Sequence, residues 1–512
     1  MDKVIVYDTT LRDGSQGEGI SFTVSDKLEV VRLLDDFGID YIEGGWPGSN
    51  EKDLAFFDRV KDLPLKHSRV VAFTSTRRKG QRIENDVHTQ MVLQTGLKHC
   101  AVVGKTWDFH VEAALRTDLD ENLAMIFDTI EFLKQNGIEA IFDAEHFFDG
   151  YKRNPEYALR CLDAAKQAGA DWFVLCDTNG GSLPDEVAKI VEEVAAKGFG
   201  PLGIHAHNDS GVALANSLAA VRAGAVQVQG TINGFGERTG NTDLCGLLPN
   251  LVLKMKVPCH VQEHQLQGLH EVSQRLYEIA RKTPVGNQPF VGHSSFAHKA
   301  GIHVSAILRN PELYEHIPPQ SVGNERRVLV SELSGESNVL YQLQSFGLTA
   351  PPAAVAKILA RIKRAELDGF SFEQAGTSLE LLIREELGLA QRYSEARATA
   401  TSVADGVAVS MQWQDGQSQN HSAKGHGTTA AAAMCQALGL FPKLSLLKED
   451  AVSLTAVDGT VRYRAILAAK WQGMELNTLG VAQSQNDAMA EAVLQMVYYL
   501  AATADRVMTQ QA

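Results

Sequence analysis

The chain has 512 residues, 44% of them apolar, with 48 Lys and Arg against 62 Asp and Glu, a formal net charge of −14. That length predicts roughly two to four domains with ample buried core. An acidic chain has no surplus of Lys and Arg with which to neutralise phosphates, which excludes a nucleic-acid binder of that kind. No apolar run reaches the ~18 residues of a bilayer span, so no membrane partner is expected. The N-terminus, Met1-Asp2-Lys3-Val4, carries no signal-peptide pattern, and the expected setting is the cytoplasm. The six cysteines form no C-x-x-C pair and are irregularly spaced, which argues against a structural zinc site or a disulfide framework.

In chain order, short β-branched runs predict strands over 4–7, 41–43, 70–73, 101–103, 140–142, 172–175, 203–207 and 226–231. Between them, helical spacing predicts helices over 26–37, 51–63, 122–136, 155–168, 184–197 and 213–223, the first ended by Gly38. Strands alternating with helices imply right-handed βαβ units and a parallel sheet. Eight units in about 260 residues match a (β/α)8 TIM barrel, with an open doubly wound sheet as the alternative. Polar residues collect where each strand ends: Asp8, Arg12 and Asp13, Glu43, Thr74, Lys105, Asp143 and Glu145, Asp177 and Thr178, His205 and His207, Asn233. Contributions from all eight ends favour the barrel, whose active sites form at the C-terminal ends of its strands.

Past residue 260 the rhythm changes. Residues 261–345 read as helices and loops containing His293, His298 and His303, and a Pro-marked break at 349–352 precedes helices over 354–367 and 372–387. Strand-like runs over 403–412, 452–454 and 461–468, interleaved with helices over 428–438 and 484–500, read as a separate α+β domain. The expected division is 1–265 as catalytic barrel, 266–395 as helical linker subdomains and 396–512 as a C-terminal α+β regulatory domain.

His205-Ala206-His207 is the sharpest local signal. Residues i and i+2 of a strand share a face, so both imidazoles are expected at the barrel mouth, as metal ligands or as a hydrogen-bonded pair at a strand end. Asp13 past the first strand and Asn241 past the eighth complete a candidate site for Mg2+, Mn2+ or Zn2+, among which spacing does not choose. Gly234-Phe235-Gly236-Glu237-Arg238-Thr239-Gly240 looks like a relaxed dinucleotide loop, but the acidic residue due about 20 positions later is missing. There is no G-x-x-x-x-G-K-[ST] phosphate loop. Arg77-Arg78-Lys79 with Arg82 is either a solvated loop or, on the active face, a receiver for a phosphorylated cofactor.

Asp8-Thr9-Thr10-Leu11-Arg12-Asp13-Gly14-Ser15-Gln16, His205-Ala206-His207-Asn208-Asp209 and Gly236-Glu237-Arg238-Thr239-Gly240-Asn241 together resemble the DRE-TIM metallolyase superfamily. Gly44-Gly45-Trp46-Pro47-Gly48-Ser49-Asn50 and Leu175-Cys176-Asp177-Thr178-Asn179-Gly180-Gly181 look most like the citramalate-forming branch of its 2-isopropylmalate/homocitrate synthase family. Asp458-Gly459-Thr460-Val461-Arg462 and Thr478-Leu479-Gly480-Val481-Ala482 are similar to the regulatory domain of that family. The resemblance implies a metal-dependent condensation of acetyl-CoA with pyruvate, with 2-oxoisovalerate as the alternative oxo acid and acyl-CoA cleavage as a more distant one. It implies Asp13, His205 and His207 as metal ligands with Asn241 nearby, Arg12, Gln16 and Thr178 on the substrate, and Glu145 or His303 as base. His303 would be supplied in trans by the second subunit of a homodimer, and isoleucine would act as feedback effector. One departure stands out: some relatives have a tyrosine after a Val-Gly pair, where this chain reads Val322-Gly323-Asn324.

Overall fold

The computed structural model describes residues 3–455 and 459–504, the side chain of residue 395 excepted. Asp458 of the regulatory-domain motif and residues 505–512 of the expected third domain lie outside the described residues. The chain divides into two compact units, Met1–Phe296 with Ile317–Glu325, and Ala297–His316 with Arg326–Ala512.

The first unit is a closed parallel barrel of eight strands taken in sequence order. They are β1 (Ile5–Asp8), β2 (Tyr41–Gly45), β3 (Arg69–Ser75), β4 (His99–Lys105), β5 (Glu139–Glu145), β6 (Trp172–Asp177), β7 (Leu202–Ala206) and β8 (Gln227–Gly230). β8 pairs with β1, so no edge is left open. Alternation along each strand divides the core in two. Val70, Ala72, Val102 and Phe142 face outward into the layer shared with the helices. Val71, Phe73, Ala101, Ile141 and Val174 pack inside the barrel with the stacked pair Tyr7 and Tyr41.

Several helices begin where a side chain supplies a cap. Val24–Phe37 starts on a reciprocal Thr23–Asp26 capping box and ends on Gly38 at φ +106°. Leu119–Gln135 starts three residues earlier than expected, because Asp118 accepts the Glu121 N–H. His207 lies one residue beyond β7, in an isolated bridge to Asn241.

In the second unit, Pro352–Leu367 and Gly376–Glu386 are helices, and two antiparallel three-stranded sheets follow, each with a helix after it. The strand expected over 403–412 is instead two strands, Tyr393–Val403 and Gly406–Asp415. They pair as a hairpin whose ends, Val403 and Gly406, enclose Ala404-Asp405, with Gly406 at φ +147°. A second tight turn at Gln472-Gly473, both at positive φ, connects Val461–Trp471 to Met474–Ala482. Among the described residues no helix is long and apolar enough to cross a membrane.

Candidate functional site

At the C-terminal mouth of the barrel a cleft of about 660 Å³ is lined by Arg12, Asp13, Gln16, Glu145, Thr178, His205 and His207 among others. Each comes from a strand end or the turn after it. The turn after β1 is held by buried Asp8, which accepts hydrogen bonds from the Thr10 N–H at 2.9 Å, the Thr10 hydroxyl at 2.7 Å and the Ile232 N–H at 3.4 Å. Burial pushes the Asp8 carboxyl up to about 7 despite these donors.

That turn presents Arg12 and Asp13. Arg12 donates through Nε to Glu43 Oε2 at 2.8 Å and through Nη1 to Asp13 Oδ2 at 3.0 Å, with its guanidinium 4.1 Å above the Phe73 ring. Glu43, fully buried in β2, also accepts from the Tyr7 hydroxyl at 3.0 Å and from the Thr9 hydroxyl. Three donors make a buried carboxylate tolerable, and its charge fixes the arginine. Burial alone would raise the Asp13 carboxyl, but Arg12 and the two imidazoles hold it well below the usual carboxylate range.

His205 and His207 bring Nε2 to 3.4 Å and 3.6 Å from the two Asp13 oxygens. The three candidate ligand atoms lie within 4.8 Å of one another, and all three residues are buried. Two imidazoles and a carboxylate suit a divalent ion such as Mn2+, Mg2+ or Zn2+. Asn241 donates through Nδ2 to Asp13 Oδ1 at 3.1 Å and to the Phe235 carbonyl at 3.0 Å, while its Oδ1 is buried without a protein partner. That orphaned oxygen beside the triad also fits an ion-binding centre. The glycine-rich loop serves this geometry: a Cβ on Gly236, at φ +154°, would collide with the Asn241 amide.

On the opposite rim, Lys105 donates to Glu145, both about one-fifth exposed. The His146 N–H donates to the Thr178 hydroxyl oxygen at 2.8 Å, which leaves the Thr178 O–H free to donate into the cleft. His303 belongs to the second unit, where its ring stacks on Tyr314 with centroids 4.1 Å apart.

The arginine loop divides. Arg77 is buried and bound to Glu121 and Asp128, each at 2.7 Å, so it is a structural tie rather than a receiver of ligand. Arg78 and Lys79 line the cleft, whereas Arg82 is exposed and paired with Glu84. The hydrogen bonds of Glu43 to Arg12 and of Gln229 to His205 escaped sequence reasoning. The available signal was polar residues at inward positions of apolar strands, Gln227 and Gln229 in β8 above all.

The HMGL-like family model matches residues 3–275, more than half of the chain. The chain belongs to the HMGL-like family. A second model, homocitrate synthase post-HMGL domain-like, matches 290–368. Among HMGL-like relatives, the (R)-citramalate synthase of Geobacter sulfurreducens is 45% identical over 98% of both chains. Those of Aquifex aeolicus and Synechocystis are 50% and 52% identical, over 79% and 75% of this chain and 77% and 72% of theirs. A probable 2-isopropylmalate synthase of Methanopyrus kandleri is 32% identical over 71% of this chain and 70% of its own.

Proposed function

We infer that the chain condenses acetyl-CoA with pyruvate and hydrolyses the thioester, giving (R)-citramalate and CoA. The observation that carries this is the end-to-end match, 45% identity over 98% of both chains, to a citramalate synthase. Identity falls to 32% against a probable 2-isopropylmalate synthase.

In the balanced reaction a proton leaves the thioester methyl, that carbon bonds to the oxo carbon of pyruvate, and the oxo oxygen becomes a hydroxyl. Water then cleaves the thioester. Asp13, His205 and His207 are the residues that would hold the divalent ion, with Asn241 beside them. When bound, such an ion supplies Lewis-acid polarisation and a template for the oxo acid. Mn2+, Mg2+ and Zn2+ all fit this donor set. Arg12 has Nε and Nη1 committed to Glu43 and Asp13, so Nη2 is the edge it offers to the developing alkoxide. Thr178 donates its hydroxyl to the pyruvate carboxylate, and Gln16 lines the same cleft from the turn after β1. Glu145, kept in place by Lys105, or His303 from a second copy takes the methyl proton.

The proposed working unit is a cytoplasmic homodimer in which 1–265 is catalytic, 266–395 is linker and 396–512 binds isoleucine as feedback effector. The motif at Thr478-Leu479-Gly480-Val481-Ala482 supports the regulatory part. If a chain ending near residue 390 stays as inhibitable by isoleucine as the full chain, that part is wrong.

CoA release followed with acetyl-CoA and pyruvate, 2-oxobutyrate, 2-oxoisovalerate or 2-oxoglutarate tests the reaction. Pyruvate is expected to give the highest kcat/KM, and turnover is expected to vanish on chelation and return with Mn2+. Highest kcat/KM with 2-oxoisovalerate overturns the substrate reading, and full turnover in the chelated enzyme overturns the metal.

A further inference from the structure

Gln229 lies in β8 directly across the ladder from His205 in β7. Its side chain is fully buried and does more than fill the barrel. Gln229 Oε1 is 2.8 Å from His205 Nδ1. Its Nε2 donates to Asp143 Oδ1 at 3.1 Å and to Gln227 Oε1 at 3.3 Å.

As placed, the amide turns its oxygen to the imidazole and its NH2 to the Asp143 carboxyl. A flipped Gln229 would turn its oxygen toward the Asp143 carboxylate and the Gln227 oxygen, and its NH2 toward the imidazole. Gln227 keeps its own oxygen on Gln229 at a cost, since its Nε2 is buried without a protein partner. With the Gln229 oxygen facing the ring, His205 Nδ1 must carry the proton. Nε2, the atom 3.4 Å from Asp13, is then the nitrogen left to ligate an ion. His207 has no comparable support: its Nδ1 is buried and pairs with no group among the described residues.

We propose that Gln229, oriented by Asp143 and Gln227, is a positioning residue that presets His205 in the Nδ1–H tautomer, ready to ligate a divalent ion through Nε2. The proposal rests on the metal reading of the Asp13, His205 and His207 centre. Of the two imidazoles, His205 is thus the ligand prepared before the ion arrives. Loss of such an outer partner weakens metal affinity by about 10–100-fold.

Two measurements test it. The first is the two-bond 1H–15N spectrum of chelator-stripped wild-type enzyme labelled at histidine, taken at pH 8. The His205 signals are assigned by their loss in His205→Gln. The Nδ1–H pattern is expected, and the Nε2–H pattern overturns the proposal without recourse to any Gln229 variant. The second is the Kd for Mn2+ in wild type and in Gln229→Met, which keeps the side-chain length but not the acceptor. A rise of about 10–100-fold is expected with an unchanged Tm. An unchanged Kd in a folded Gln229→Met overturns the positioning role alone, whereas failure of the wild type to bind Mn2+ overturns the metal reading beneath it. If Gln229→Met does not fold, the wild-type spectrum decides.

Discussion

Replacing Arg12 with lysine tests the cleft at the point where most of its contacts meet. The arginine is 14% exposed at its side chain and makes two charge-assisted hydrogen bonds, to Glu43 at 2.8 Å and Asp13 at 3.0 Å, with its face on Phe73. Lysine keeps the charge but offers one compact ammonium in place of a planar fork. It can satisfy Glu43 or point toward the substrate, not both. Hydrogen bonds to charged groups contribute about 1.5–3 kcal/mol each, and losing one oxyanion donor costs about 10²–10³-fold in rate. Arg12→Lys is therefore expected to lower kcat/KM for pyruvate by about 10²–10³-fold while moving Tm by less than about 3 °C. Arg12→Met serves as contrast. It leaves the Glu43 carboxylate buried with only hydroxyl donors, an uncompensated charge worth about 3–5 kcal/mol of stability. Steady-state CoA release and a thermal melt on each variant separate the two effects. Arg12→Lys within threefold of wild-type kcat/KM, at unchanged Tm, would show that the fork takes no part in the reaction.

Arg78 lines the cleft, and its side chain's one polar contact among the described residues is His88 at 3.5 Å, so it is the guanidinium available to an anionic co-substrate. Arg78→Ala is expected to raise the KM for acetyl-CoA about 5-fold, more at low ionic strength, and to leave that for pyruvate unchanged; an unmoved acetyl-CoA KM rejects the role. In the second unit, burial pushes the Glu491 carboxyl from an ordinary 4.5 up to about 7, although it accepts the Val481 N–H at 2.9 Å. The unfolded chain releases this proton near 4.5 and the folded chain keeps it until about 7. Stability is therefore fully present below 4.5 and falls as pH rises to about 7, by about 3 kcal/mol. Glu491→Gln, which keeps an acceptor for Val481, is expected to raise Tm at pH 8 by about 5–10 °C and to change it little at pH 4.5. Equal effects at both pH values would mean that Glu491 is ionised throughout.

The barrel was legible because each strand carries an apolar run and a polar residue at its C-terminal end, and six of the eight are followed by a helical spacing; the helix Val87–Gln94 after β3 was not foreseen. β7 and β8 differ from the expected ranges by only one residue at each end. The antiparallel sheets were less legible because much of their surface faces water. Asn420–Gly427 alternates exposed and half-buried positions with Ala423 as its one apolar side chain, so its strand character comes from pairing with Gly406–Asp415. The Asp405-Gly406 turn signal was present, and the Val403 run beside it concealed the reversal. Within the site, local motifs exposed Arg12, Asp13, His205 and His207. The contacts of Glu43 and Gln229 escaped because each partner belongs to another strand or the turn after it, Arg12 31 positions away and His205 24 positions away. Such pairs are created by barrel closure, not by spacing.

Net charge and site charge now separate. Six cationic and four acidic side chains line the cleft of a chain whose net charge is −14. Most of that local excess is already neutralised: Arg77 by Glu121 and Asp128, Arg238 by Asp209, Lys105 by Glu145, and Arg12 by Glu43 and Asp13. A cleft paired this closely has little free positive charge to hold a carboxylate and a growing alkoxide together. At an effective dielectric near 20, one unit charge 4 Å away is worth about 4 kcal/mol, so a divalent ion between Asp13 and the two imidazoles would outweigh any single side chain here. The arginines that look surplus in the sequence are largely spent on holding loops in position, so on the proposed reading an ion at Asp13, His205 and His207 would be the main source of attraction for the oxo acid. Arg78 is the arginine of the cleft lining left without a carboxylate partner among the described residues.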